Sequence, residues 1–218
     1  MKGITTFLLF CCFGVALAAP PESLEKIYQE HPITFYCGCL INWEKEDPDT
    51  PDLESCGYES PKNSSLAKLI WWEHVVPSSK LGDESDSDIK LRRSNLHNLV
   101  PAIGEVNRSR SNYSFTVFDE NSNCKKEARN YGACEIKISN ECDLVEPPPH
   151  TRGAIARIYL YMWEEYKFEL AKEQKDMFKL WDEAYPVTEW ECERDRLIAV
   201  EQGERNPKVQ VPCTKAGL

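Results

Sequence analysis

The chain has 218 residues, of which 41% are hydrophobic and 28% charged, and its formal net charge is −10. That length suits one ordinary domain or two small ones. The acidic balance argues against a nucleic-acid footprint spread over the whole surface, though not against a local basic cleft.

The first segment, "MKGITTFLLFCCFGVALAA", has a positive Lys2, an apolar run from Ile4 to Leu17, and small residues at Ala16 and Ala18. This is the pattern of a secretory signal peptide cut after Ala18, and the run is short for a bilayer span. The expected organisation is therefore a signal peptide over 1–18 and a single domain over 19–218. No later run is apolar enough for a membrane span, so the mature chain is expected to be a soluble monomer. Without 1–18 it carries 25 basic against 36 acidic residues, a net of −11.

Removal of the leader also removes Cys11 and Cys12. Eight cysteines remain, Cys37, Cys39, Cys56, Cys124, Cys134, Cys142, Cys192 and Cys213. An even set in an exported chain predicts up to four disulfides. The Cys37-Gly38-Cys39 spacing and the scatter of the others disfavour zinc. Spacing does not give the connectivity, although a local Cys124–Cys142 bridge is plausible.

Along the mature chain, "SLEKIYQEHPITFYCGC" predicts a short helix ending near His31-Pro32, followed by a strand from Ile33 to Cys37. The next thirty residues, rich in Pro, Asp and Ser, read as loop. "LIWWEHVV" then predicts a strand from Leu69 to Val76, and "SSKLGDESDSD" an acidic surface loop. "EPPPH" marks a second break. Beyond it Ile155, Ile158, Tyr159, Met162 and Tyr166 recur at helical spacing, as do Leu170, Met177, Phe178 and Trp181. Thr188 with Glu191 three residues on is a capping box that opens a third helix, which Gly203 closes.

The strand from Leu69 brings a carboxylate and an imidazole side by side, Glu73-His74. Adjacent strand residues point to opposite faces, so a shared site needs the strand to end there, as Val75, Val76 and Pro77 allow. Oxygen ligands such as the Glu73 carboxylate and the Asn107 amide suit a hard cation such as Mg²⁺. His74 is then the natural general base. Arg92, Arg93, Arg108 and Arg110 cluster in the same stretch and offer phosphate contacts, where a solvated basic face is the plainer reading.

Taken together, "KIYQEHPITFYCGC", "WEHVVP", "LHNLVPAIGEVN", "RGAIARIYLYM" and "AYPVTEWECERDRLIAVEQG" followed by "RNP" resemble the endonuclease I family, secreted or periplasmic non-specific nucleases. The resemblance implies an α+β fold with a ββα-metal (His-Me finger) core and a mainly helical remainder, stabilised by disulfides. It implies that His74 is the general base, that Glu73 and Asn107 hold Mg²⁺ or another divalent cation, and that His97 and Asn98 support the site. The partners implied are DNA and also RNA, cut without regard to sequence to give 5′-phosphate products. The family's longer segment between the "EHVVP" and "HNL" motifs, with its cysteine pair and an arginine that steadies the departing oxygen, is here shortened to "KLGDESDSDIKLRRS". No residue aligns with that arginine. A second reading follows, a catalytically weak or silent nucleic-acid-binding protein on the same scaffold. Asn63, Asn107 and Asn112 each open a sequon, and Asn107 cannot be both glycan carrier and metal ligand, so it is expected to be unmodified.

Overall fold

The structure, a computed structural model, describes residues 21–43, 49–83 and 85–218; the signal peptide expected over 1–18 lies outside the described residues. Helix α1 (Pro21–Tyr28) is followed by a short antiparallel pair, β1 (Leu40–Asn42) with β2 (Thr50–Asp52). The strand expected over Ile33–Cys37 does not form. Instead Gly38, at φ 71°, returns its N–H to the Thr34 carbonyl at 2.9 Å, and the Thr34 hydroxyl accepts from Cys39 N–H at 2.9 Å. Glycine reaches that left-handed conformation without steric cost, and a threonine hydroxyl that captures local backbone competes with a ladder. The β-branched residues of the segment did not outweigh these two local effects.

Strand β3 (Ile70–His74) is one residue shorter at its start and two at its end than expected. It pairs antiparallel with β4 (Leu99–Ile103), with Trp72 opposite Pro101 and Glu73 opposite Val100. Pro101 has no N–H to give a ladder, but a two-stranded ribbon has a free edge for it, and its carbonyl accepts from Phe35 N–H at 2.8 Å. Between these strands lies α2 (Ile89–Arg93). Helix α3 (Gly104–Arg110) starts directly after β4 and packs on both strands. The order here is therefore β3, α2, β4, α3, with α3 packed on the paired strands β3 and β4.

The polar stretch that follows holds a sheet with no clear sequence signal. β5 (Ser114–Phe115) runs parallel to β8 (Leu144–Glu146), which pairs with β7 (Cys134–Ser139) and through it with β6 (Arg129–Tyr131). The one-turn helix α4 (Asn123–Lys126) sits before β6. Phe115, Tyr131, Ile136, Ile138 and Val145, all buried, turn this sheet towards the central core.

The last third is helical: α5 (Pro149–Tyr166), α6 (Lys172–Ala184), α7 (Glu189–Gln202) and α8 (Pro207–Ala216). Proline sits at the first position of α5, where a missing N–H costs nothing. Only half of the capping box at Thr188 forms. The Thr188 hydroxyl accepts from Glu191 N–H at 3.1 Å. The Glu191 carboxylate, however, grips Arg157 Nε and Nη2 at 2.6 Å each. Gly203 closes α7 at φ 84°, its N–H bonded to the Ala199 carbonyl.

All eight cysteines pair, as Cys37–Cys134, Cys39–Cys56, Cys124–Cys142 and Cys192–Cys213. The local Cys124–Cys142 bridge is thus present, and the first bond ties the turn at Thr34–Cys39 to β7. Together these elements make an α+β fold held by four disulfides. No helix among the described residues is long and apolar enough to cross a membrane.

The buried Arg157–Glu191 pair predicts a stability effect. Arg157 is 2% exposed, so Glu191→Ala strips a desolvated cation of its bidentate partner at a cost of about 3–5 kcal/mol. Urea unfolding followed by far-UV circular dichroism reads this as a lower midpoint with an unchanged slope.

Candidate active site

Glu73 is 3% exposed although it is a carboxylate. Its Oε1 accepts from the Tyr36 hydroxyl at 3.0 Å and faces Arg110 Nη1 at 3.2 Å. Among the described residues Oε2 makes no hydrogen bond. Burial outweighs the attraction of Arg110 and the Tyr36 hydrogen bond, and pushes the Glu73 carboxyl up to about 7. A cation held by this carboxylate would offset that desolvation and favour the charged form.

Arg110 is 1% exposed. Its Nη1 also donates to the His74 carbonyl at 3.0 Å, and its Nη2 donates to the Val75 carbonyl at 2.5 Å and to the Tyr159 hydroxyl at 3.4 Å. The guanidinium lies over the Phe115 ring, 4.7 Å from its centroid. This corrects its assignment as a phosphate contact: an arginine enclosed on every side and bound to Glu73 holds α3 against the end of β3 and does not face a substrate.

Asn107 lies three residues before Arg110, on the same face of α3. Arg110 reaches Glu73, so Asn107 sits one turn back along the surface that meets β3. It is half-buried, and its side chain makes no hydrogen bond among the described residues. A carboxylate oxygen and an amide oxygen, both uncommitted, form a donor set that fits a hard cation completed by water. Clusters of three or more His, Cys, Asp or Glu suited to a metal do not occur among the described residues.

His74 ends β3 half-buried, and its Nε2 lies 2.8 Å from the Arg93 carbonyl. A carbonyl only accepts, so Nε2 carries the hydrogen and the neutral ring presents a bare lone pair at Nδ1. The partner is itself a consequence of helix geometry: Arg93 ends α2, and a last-turn carbonyl lacks an intrahelical donor. Burial lowers the His74 pKa first, and the nearby Arg93 and Arg110 cations add to that against the Arg93 carbonyl bond, which raises it. The ring is thereby kept neutral near pH 7.

Asn98 is fully buried and brackets Val76, its Oδ1 accepting from Val76 N–H at 2.7 Å and its Nδ2 donating to the Val76 carbonyl at 2.9 Å. A side chain thus takes over the ladder where β3 leaves the sheet. His97 is also buried. Its Nε2 donates to the Glu204 carbonyl at 3.0 Å. Nδ1 lies 3.8 Å from Asp195, but burial lowers its pKa to about 3, so the ring is neutral and this is no ion pair. Both residues stand behind the site, not in it.

The remaining arginines divide. Arg92 pairs with Asp86 at 3.0 Å and donates to the Leu81 carbonyl at 3.0 Å, and Arg93 donates to the Gly82 carbonyl at 3.3 Å. Both turn back onto the acidic loop, where Asp86 engages Arg92. Arg108, on α3, is exposed. Sequence reasoning missed Tyr36 and the Arg93 carbonyl. No local pattern marks a tyrosine that will meet a carboxylate 37 positions away, and a backbone carbonyl has no residue signature at all.

The sequence profile described as Endonuclease I matches residues 21–213. The chain is 43% identical over 204 residues to "Endonuclease-1" of Buchnera aphidicola subsp. Baizongia pistaciae (strain Bp), covering 88% of this chain and 81% of that protein. It is 40% identical to a "Periplasmic deoxyribonuclease" of Aeromonas hydrophila, covering 89% of this chain and 85% of the other. An "Extracellular deoxyribonuclease" of the same organism is 39% identical, covering 89% of each.

The His74 geometry predicts a fixed tautomer. Long-range ¹H–¹⁵N correlation spectra at pH 7.5 should show Nδ1 with the shift of an unprotonated nitrogen and Nε2 with that of a protonated one. The reverse pattern contradicts the Arg93 hydrogen bond.

Proposed function

The chain belongs to the endonuclease I family, and from that premise we propose that it is an exported, Mg²⁺-dependent endonuclease that hydrolyses DNA, and RNA as well, with little regard to sequence. The observation that carries this reading is the pairing of an imidazole held by its Nε2–H, with Nδ1 left bare, and a neighbouring buried carboxylate with one uncommitted oxygen. Glu73 and Asn107 are the residues that would hold the cation, within a ββα-metal core formed by β3, β4 and α3. Bound there, the cation supplies charge neutralisation on the phosphate and on the departing 3′ oxygen.

The protein's own groups do the rest. His74 Nδ1 takes a proton from the attacking water, and the rigid bond from Nε2 to the Arg93 carbonyl aims the ring. The water oxygen then bonds to phosphorus as the bond to the 3′ oxygen breaks, leaving a 5′-phosphate. Arg110 keeps the Glu73 carboxylate in place. Contacts confined to sugar and phosphate carry no base information, which accounts for cutting without sequence preference. The four disulfides fit an oxidising compartment, in keeping with relatives named periplasmic or extracellular. A monomer suffices for this chemistry.

The second reading, a weak or silent nucleic-acid-binding protein, draws support from the engagement of Arg92 with Asp86, since that cation then does not serve a departing oxygen. Plasmid digestion separates the two. With Mg²⁺ the wild-type protein should nick and linearise DNA, and a chelator should stop it. His74→Ala should lower kcat by about 10²–10⁴-fold, and chelator-resistant cutting or an unaffected variant would contradict the mechanism.

The pH dependence has a definite sign. The base must be neutral, and its pKa lies below the ordinary histidine value. Activity should therefore hold through pH 7 and fall only as pH drops through that lowered pKa. A fall already complete at pH 7 would point to a raised pKa and a different base.

A further inference from the structure

Both groups that reach the Glu73 carboxylate meet the same oxygen. The Tyr36 hydroxyl donates to Oε1 at 3.0 Å, and the Arg110 guanidinium stands 3.2 Å from it. Oε2 makes no hydrogen bond among the described residues. We propose that Tyr36 sets the cation preference of the site: by holding Oε1 it makes Glu73 present a single oxygen, which favours a small, strongly hydrated cation over Ca²⁺. The proposal rests on the nuclease reading above and extends it to the choice of metal.

Coordination chemistry is the first argument. A cation approaching Oε1 would meet the Tyr36 hydroxyl hydrogen and a guanidinium of like charge. One carboxylate oxygen and the Asn107 amide oxygen then make a sparse donor set. Mg²⁺ accepts such a set because it keeps several waters, whereas Ca²⁺ takes about six to eight oxygens and commonly grips a carboxylate through both of its own. Without the Tyr36 hydroxyl, Oε1 regains a lone pair and two-oxygen capture of the larger ion becomes easier.

The second argument is that Tyr36 is held independently of the strand it serves. At 1% exposure it does not touch substrate, so it is a positioning residue. Its turn is tied to β4 by Phe35 N–H donating to the Pro101 carbonyl at 2.8 Å, and is pinned by the Cys37–Cys134 and Cys39–Cys56 bonds. The Tyr36 ring stands edge-on to Phe35, with centroids 5.1 Å apart. With backbone and ring both fixed, the hydroxyl oxygen decides which way the carboxylate turns. Tyr58 offers a matched comparison. It donates to Glu105 Oε2 at 2.8 Å, and both residues are buried. Glu105 lies about 200° round α3 from Asn107.

The test uses the oxidised full chain without nucleic acid. Mg²⁺ and Ca²⁺ affinities are read by competition against Mn²⁺, whose free form gives the electron paramagnetic resonance signal, for the wild type, Tyr36→Phe and Tyr58→Phe. Circular dichroism checks each fold. Tyr36→Phe should move the ratio of Ca²⁺ to Mg²⁺ affinity towards Ca²⁺ by about tenfold or more, the worth of one hydrogen bond to a charged group. Tyr58→Phe should lower thermal stability and leave the ratio alone. A ratio unchanged in Tyr36→Phe overturns the proposal, as does one that moves towards Mg²⁺ or moves equally in Tyr58→Phe. Should Tyr36→Phe not fold, the wild type decides. Infrared difference spectra on Ca²⁺ loading show widely separated carboxylate stretches for one-oxygen binding, which supports the proposal, and closely spaced ones for two-oxygen binding, which overturns it. Plasmid digestion in Mg²⁺ keeps the readings apart. Wild-type cutting with an unchanged ratio removes the role of Tyr36 and leaves the nuclease. A shifted ratio without cutting removes the nuclease and leaves the role of Tyr36, and a wild type that binds neither cation overturns both.

Discussion

The site depends on one buried contact, the guanidinium of Arg110 against the carboxylate of Glu73. Neither group is placed cheaply, because taking both charges out of water costs more than their attraction readily returns. The Glu73 carboxyl shows this directly, pushed up to about 7 in spite of its cationic neighbour. What the contact supplies is position. The same guanidinium binds the carbonyls of His74 and Val75, so a single side chain fixes α3, the end of β3 and the Glu73 carboxylate relative to one another. Asn107 is carried to the same edge by helix geometry alone, being three residues from Arg110.

Arginine plays the same part elsewhere. Arg194 of α7 donates from one nitrogen to the carbonyls of Leu96, His97 and Leu99 at 2.9, 3.2 and 2.9 Å, and from Nε to the Tyr28 hydroxyl at 2.7 Å. That clamp binds the helical half to the turn that carries His97 and Asn98. Arg157 joins α5 to Glu191, to Asp182 and to the Tyr185 carbonyl. A planar fork of five donors gathers several acceptors in one orientation, which a lysine cannot do. Most of the buried cationic charge is thus spent on fixing backbone where strands and helices end.

This allocation reconciles an acidic chain with a polyanionic substrate. Cations that look available in the sequence are committed to the fold or to the acidic loop, as Arg110 and Arg92 are. Exposed cations in no ion pair among the described residues include Lys62, Lys68, Lys90, Arg108, Lys126 and Lys215. Local field, not net charge, is what a phosphate meets at close range, because exposed charges more than about 10 Å away are screened at 0.1 M salt.

The sequence by itself determined what local forces determine. Helical periodicity marked α5 and α6, Thr188 and Gly203 marked the ends of α7, and the aromatic run into Glu73-His74 marked β3. An even cysteine set marked an exported, cross-linked chain. Tertiary structure decided everything that needed residues distant in the chain. It chose the partners of Cys37, Cys39 and Cys192, and assembled a four-stranded sheet from segments too short and polar to announce themselves. It withdrew Arg110 from the surface and drew Glu191 from its cap to Arg157. The physical reason is common to all of these: a hydrogen bond or ion pair between residues tens of positions apart leaves no periodic trace in either segment, and only the folded chain brings its two halves within reach.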